Sequence, residues 1–149
     1  MKKISLFICF LTLLLVIFFL LSRKEESQKL TVITLQGEKT SASYFVEIAD
    51  THQKAEIGLM YRKSMPKDQG MLFVFPYPSI IKMWMKNTYI PLDMVFFNAQ
   101  NQIICLHENA ISLDEKNIIS CPYPAMKVLE LNAGEIKVHN IQLGDKLKQ

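Results

Sequence analysis

This chain has no glycine-rich phosphate loop. Its five glycines are scattered singly, and neither a P-loop nor a dinucleotide fingerprint can be assembled from them. The H-E-x-x-H, C-x-x-C and G-x-S-x-G patterns are also absent, which removes the zincin, dithiol-oxidoreductase and α/β-hydrolase readings. There is no internal repeat and no low-complexity tract. A basic surface is missing as well. Of the 17 Lys and Arg residues, four (Lys2, Lys3, Arg23 and Lys24) flank one apolar segment; taking them away leaves 13 basic against 14 acidic residues, a net charge of −1 beyond Lys24. No Lys/Arg run with interleaved aromatics follows, so a nucleic-acid partner is excluded.

What is present begins with that apolar segment. Ile4 to Leu21 carries no charged residue. About 18 apolar residues are the usual minimum for a bilayer-spanning helix. The run has no polar face, unlike a surface helix. A basic start and an apolar stretch also describe a secretory signal peptide, but no small-residue cleavage pattern follows Leu21. Cys9 lies deep inside the run and does not resemble a lipid-attachment cysteine. The reading is a signal anchor, or a signal peptide, over 1–24, a polar linker over 25–29 and one β-rich domain over 30–148, since 149 residues suit a single domain. The membrane is then a partner through Ile4–Leu21. The short N-terminal tail stays in the cytoplasm and the domain faces the periplasm or extracytoplasmic space. Cleavage would make the domain periplasmic or secreted. Outside the cytoplasm Cys105 and Cys121 can pair as a disulfide, or remain two buried thiols.

Along the domain, Leu30–Leu35 and Tyr44–Ala49 read as strands, rich in β-branched and aromatic residues. Asp50-Thr51 offers a helix N-cap, and Ala55, Ile57, Leu59, Met60 and Tyr61 follow at helical spacing, interrupted by Gly58. Met71–Phe75 reads as a strand broken by Pro76 and Pro78. Lys82–Lys86 is a short strand. Asp93–Phe97 and Gln102–His107 form a hairpin around Asn98–Asn101. Asp114–Pro124 is loop, Lys127–Leu131 a strand, and Ile136–Leu147 a short helix or turn followed by a strand. The expected fold is mostly β (α+β), a compact β-sandwich or barrel-like domain with one or two short helices, preceded by the N-terminal hydrophobic helix.

Several blocks occur in order: Gly58-Leu59-Met60-x-Arg62, Gly70 to Phe75, Trp84-Met85-Lys86-Asn87-Thr88-x-Ile90-Pro91-Leu92-Asp93, Asn109-Ala110, Val128-Leu129-Glu130-Leu131-x-Ala133-Gly134 and Gly144-Asp145. This pattern closely resembles domain of unknown function 192, a bacterial and archaeal family, over about Tyr44–Leu147. The resemblance implies a compact, mostly β domain, often behind an export signal or membrane anchor, and no established activity. Met83 departs from the family, which usually has an aromatic before the Trp.

The candidate site residues are Arg62, Trp84, Lys86, Asn87, Asp93 and Asn109, a polar-aromatic set without a recognisable nucleophile. Arg62 and Asp93 suit a buried bidentate ion pair. Trp84 points opposite to Met83 and Met85 if the strand alternates. Asn87 either bonds turn amides or contacts a ligand with Lys86 at a cleft rim. The leading functional reading is a non-catalytic cell-envelope binding or assembly domain, with an envelope protein or glycan as its partner and no cofactor. An alternative is a hydrolase-like enzyme using Asp93 with His107; Glu108, next to His107, faces the other way. A third is soft-metal binding of Cu(I) by Met83, Met85 and His107, against the commoner role of methionine as core filler.

Overall fold

The computed structural model describes residues 29–149. The segment Ile4–Leu21, on which the anchor and membrane readings rest, lies outside the described residues. Among the described residues no helix is long and apolar enough to cross a membrane.

The chain forms β1 (Thr31–Gln36), β2 (Ser41–Ala49), α1 (His52–Ile57), β3 (Gln69–Ser79), β4 (Lys82–Met83), β5 (Leu92–Phe97), β6 (Ile103–Ala110), β7 (Ile119–Ser120), β8 (Ala125–Asn132), α2 (Glu135–Val138) and β9 (Lys146–Lys148). The fold is mostly β with two short helices. Seven strands build one sheet in the order β6-β5-β8-β3-β2-β1-β9, and β4 and β7 form a separate two-stranded ribbon. All neighbours in the large sheet run antiparallel except β2 and β3.

The sheet curls into a half-barrel; among the described residues the two-stranded β4–β7 ribbon packs on its outer face, too small to make a sandwich. Its outer strands meet at one end. Gln102, before β6, bridges Lys146 of β9, and Ile103 donates its N–H to the Asp145 carbonyl at 2.8 Å. The curl encloses one apolar cluster. Residues from both edges, Ile103 and Leu147, join Ile33, Tyr44, Leu72, Val95, Leu129 and Ile136 there. The opposite face carries a second cluster that includes Met71, Phe73, Met83, Met85, Met94, Phe96 and Val128. Strand alternation sorts residues between the two. In β5, Leu92, Met94 and Phe96 go outward while Val95 and Phe97 go inward. Central strands covered on both faces lose the polar-apolar alternation, and every residue of β5 is buried.

Three differences from the sequence reading have physical reasons. Pro76 and Pro78 do not end β3. The register shifts between Val74 and Ser79, so both prolines sit in an irregular stretch that asks no ladder N–H of them. The strand expected over 82–86 is only two residues long, because Met85 turns its N–H to the Asp114 carbonyl, away from a strand ladder. The helix stops at Ile57, where Gly58 takes φ 49°. Here glycine is needed: a Cβ would approach Phe73 Cζ to 3.2 Å in a conformation that L side chains rarely adopt.

Candidate functional site

A parallel strand pair cannot be joined by a tight turn. Its connection must cross one face of the sheet. The link from β2 to β3 therefore carries α1 and the Gly58–Arg62 turn over the outer face, and a cleft opens beneath it. The cleft has a volume of about 360 Å³ and is lined by Ala55, Met60, Phe73, Phe75, Met83 and Trp84 among others, with Glu130 in its floor. A second depression, lined in part by Glu47 and Arg62, flanks the other side of the same turn.

Glu130 is the unusual group. It stands on β8 between Met71 of β3 and Met94 of β5 in the cross-strand register. It is 4% exposed. Among the described residues nothing hydrogen-bonds its carboxyl; the charge that reaches it most is the Arg62 guanidinium. Burial pushes its pKa up to about 8, against a smaller pull downwards from Arg62. At neutral pH the group is therefore largely a neutral carboxylic acid facing the cleft.

Arg62 does not pair with Asp93. Its guanidinium grips the Glu47 carboxylate with both branches, one of them at 2.6 Å from Nη2 to Oε2. The bidentate lock between crossover and sheet is present, but its acid comes from β2. Strand parity explains the exchange. Val46 and Tyr44 belong to the inner cluster, so Glu47 faces outward, under the crossover. Asp93 faces inward with Val95. It is fully buried, and its carboxylate accepts backbone N–H groups from Asn109 at 2.9 Å, Gly134 at 3.0 Å and Ile136 at 2.9 Å. It therefore ties the β6 bulge and the start of α2 to the central strand.

The remaining candidates divide between these places. Trp84 is 45% exposed, with Met83 and Met85 buried on the opposite side, as alternation requires. Lys86 Nζ sits 5.5 Å from the centre of the Trp84 ring, a cation–π contact. Asn87 takes φ 52° and faces Tyr61, itself at φ 64°. The Tyr61 N–H donates to the Asn87 carbonyl at 2.8 Å, and Asn87 Nδ2 donates to the Tyr61 hydroxyl at 2.9 Å. Asn87 thus clamps the crossover turn to the loop after Trp84. Positive φ is costly for a tyrosine, and such strain persists only where surrounding bonds hold it. Asn109, at φ 55°, is the bulge residue of β6 and serves through its backbone. The structure therefore gathers Arg62, Trp84, Lys86 and Asn87 around the crossover and leaves Asp93 and Asn109 elsewhere.

His107 lies opposite Met94 in the register, on the outer face, whereas Asp93 points inward. The two are not brought together as a dyad. Met83 and Met85 fill the outer core with Met71 and Met94. Among the described residues no group of three or more His, Cys, Asp or Glu is placed to hold a metal ion. Cys105 and Cys121 form a disulfide with a Cα–Cα distance of 5.8 Å.

Sequence reasoning missed Glu130. In KVLEL, a lone acid on an alternating strand reads as solvent-facing. The contrary signal is Val128, two residues earlier and so on the same face. A strand apolar on both sides is central, and an acid within it is buried.

A family model, DUF192, described as "Uncharacterized ACR", matches residues 32–149. Two solved structures are similar over most of their length. One is a proposed transcription regulator from Sinorhizobium meliloti 1021, 41% identical, with a TM-score of 0.75, over 78% of this chain and 91% of that one. The other is a protein of unknown function from Novosphingobium aromaticivorans DSM 12444, 30% identical, with a TM-score of 0.77, over 80% of this chain and 85% of that one. No curated protein matches the chain.

Proposed function

The chain belongs to the uncharacterised family DUF192, and from that premise we propose that it is a non-catalytic binding domain of the cell envelope whose ligand enters the cleft beneath the β2–β3 crossover. One observation carries this reading: the carboxyl of Glu130, a residue only 4% exposed, lines the cleft with no hydrogen-bond partner among the described residues. Burying a polar group without a partner costs free energy. About 300–1,000 Å³ is the usual range for small-molecule sites, so 360 Å³ suits a small ligand or one side chain of a larger one.

Against catalysis stand the separation of Asp93 and His107 on opposite faces and the three N–H groups that occupy Asp93. The regulator description of the Sinorhizobium protein is not carried over, since a domain with a net charge of −1 has no electrostatic footprint for DNA. Two features favour the extracytoplasmic side: the Cys105–Cys121 disulfide, a bond of oxidising compartments, and the apolar run Ile4–Leu21, which would hold the domain at the membrane.

The test fills the cleft. Ala55 lines it from α1, and Ala55→Phe adds bulk at its mouth. Small molecules that raise the melting temperature of the full-length protein should lose that effect in the variant, whose circular dichroism stays native. Unchanged affinity in Ala55→Phe would place the binding site elsewhere.

A further inference from the structure

We propose that the ligand of this cleft is an organic cation, an amine whose ammonium head meets the Glu130 carboxylate while its apolar body lies along Phe73, Phe75 and the edge of Trp84. The inference rests on the cleft being a binding site and adds the chemistry of its occupant.

The argument proceeds by which polar groups are already engaged. The Thr88 hydroxyl donates to the Lys86 carbonyl at 3.1 Å. Asn87 is held by Tyr61, and the Arg62 fork by Glu47. The Trp84 ring already carries Lys86. Below the exposed rim groups His52, Glu56 and Lys82, Glu130 is what remains to recognise a ligand's polar end. A sugar needs several hydrogen bonds, and apart from the exposed His52, Glu56 and Lys82 at its rim the cleft offers only Glu130. An anion would keep the carboxyl protonated and gain no charge pairing from it. A wholly apolar ligand would leave that carboxyl buried and unpaired. A single positive head on an apolar body satisfies both parts of the cleft.

Of the charged groups around the cleft, Arg62 and Lys82 are cationic and Glu47 and Glu56 are acids. Arg62, whose charge reaches Glu130, is ion-paired with Glu47, which weakens its opposition to an entering ammonium group. On α1, His52 and Glu56 lie 4.0 Å apart at the rim. Lys82 of β4 lines the mouth and is exposed. Met71 and Met94, on either side of Glu130, carry no charge. In the free protein the Glu130 carboxyl is protonated up to about pH 8. An entering ammonium group must therefore displace that proton to solvent, and binding is linked to its release.

Trp84 is the only tryptophan in the chain and lines the cleft, so its fluorescence reports occupancy. The full-length protein is titrated with phenethylamine and hexylamine, and in parallel with the neutral counterparts 2-phenylethanol and hexanol. The expected result is saturable binding of the amines alone. Their affinity should rise about tenfold per pH unit between pH 6 and 7.5 and level off above pH 8. Glu130→Gln, which keeps the shape of a protonated glutamate, should abolish amine binding with native circular dichroism. The pH profile of the unmodified protein tests the same point without a variant. Neutral probes binding as well as amines, or a flat pH profile, would overturn the cation while leaving the cleft as a binding site. No response of Trp84 to any of the four probes would overturn both readings.

Discussion

At the scale of single residues, this domain treats two buried carboxyls in opposite ways. Asp93 is fully buried and accepts three backbone N–H groups. Glu130 is nearly as buried and accepts none among the described residues. The difference makes Glu130 a source of pH-dependent stability. Its pKa rises from an ordinary 4.5 to about 8 on folding, through burial. The folded state therefore holds a proton that the unfolded state releases between those values, and stability falls as pH rises through that window. One pKa unit corresponds to about 1.4 kcal/mol, so the loss from pH 5 to pH 8 should amount to a few kcal/mol. Glu130→Gln cannot ionise. Denaturant unfolding at pH 5, 6.5 and 8 should show the decline in the natural protein and its removal in the variant, which becomes the more stable of the two at pH 8. Parallel profiles for both proteins would assign the proton to another group.

Among the elements, the one that matters most is the crossover from β2 to β3, since it roofs the cleft. Its parts were readable from sequence to different depths. The helix start was legible, because Thr51 caps it by accepting the Lys54 N–H at 3.3 Å. The helix end was legible only in part, since Gly58 interrupted an apolar stripe that continued at helical spacing to Tyr61. That β2 and β3 lie parallel was not, because strand pairing depends on contacts between distant segments and leaves no local signature. Without the crossover, nothing pointed from Arg62 to Glu47 or placed Met60 above Glu130. The hairpin of β5 and β6, by contrast, is local, and its Asn98–Asn101 turn could be read directly. There Asn98 Oδ1 accepts N–H groups from Gln100 and Gln102. Gly58 is where sequence and crossover meet. Gly58→Ala puts a Cβ 3.2 Å from Phe73 at φ 49°. Backbone strain of this kind costs about 1–3 kcal/mol, and the phenyl ring that must yield lines the cleft. Urea unfolding should show that loss. A change below about 0.5 kcal/mol, typical of a neutral surface substitution, would mean that the turn relaxes freely.

Across the whole molecule, the sheet organises the inner core with Ile136 and Ile141 added from the α2 region, while the outer face depends on long segments with little secondary structure. Residues 111–124 contain only the two-residue β7, and Ile111, Leu113, Ile118 and Tyr123 within them are exposed. Four devices pin this stretch: the β4–β7 ribbon, the Leu113 N–H donated to the Thr88 carbonyl at 3.0 Å, the Met85 N–H donated to the Asp114 carbonyl at 3.2 Å, and the Cys105–Cys121 disulfide. The disulfide joins edge strand β6 to the approach to β8 across a separation of 16 residues. In the chain-entropy account, a loop of that size contributes about 3 kcal/mol by restricting the unfolded chain. Because the inner core does not touch the bond, reduction should loosen the outer face and leave the sheet. Reductant should lower the unfolding free energy by about 3 kcal/mol. Hydrogen exchange should then quicken in 111–124 and around Trp84, while β5 and β8 stay protected. A Cys105→Ser/Cys121→Ser protein should behave as the reduced form does and ignore reductant. Were the reduced protein as stable as the oxidised one, with unchanged exchange over 111–124, the bond would have no part in holding the cleft. The case for an oxidising compartment would then rest on the apolar N-terminal run alone.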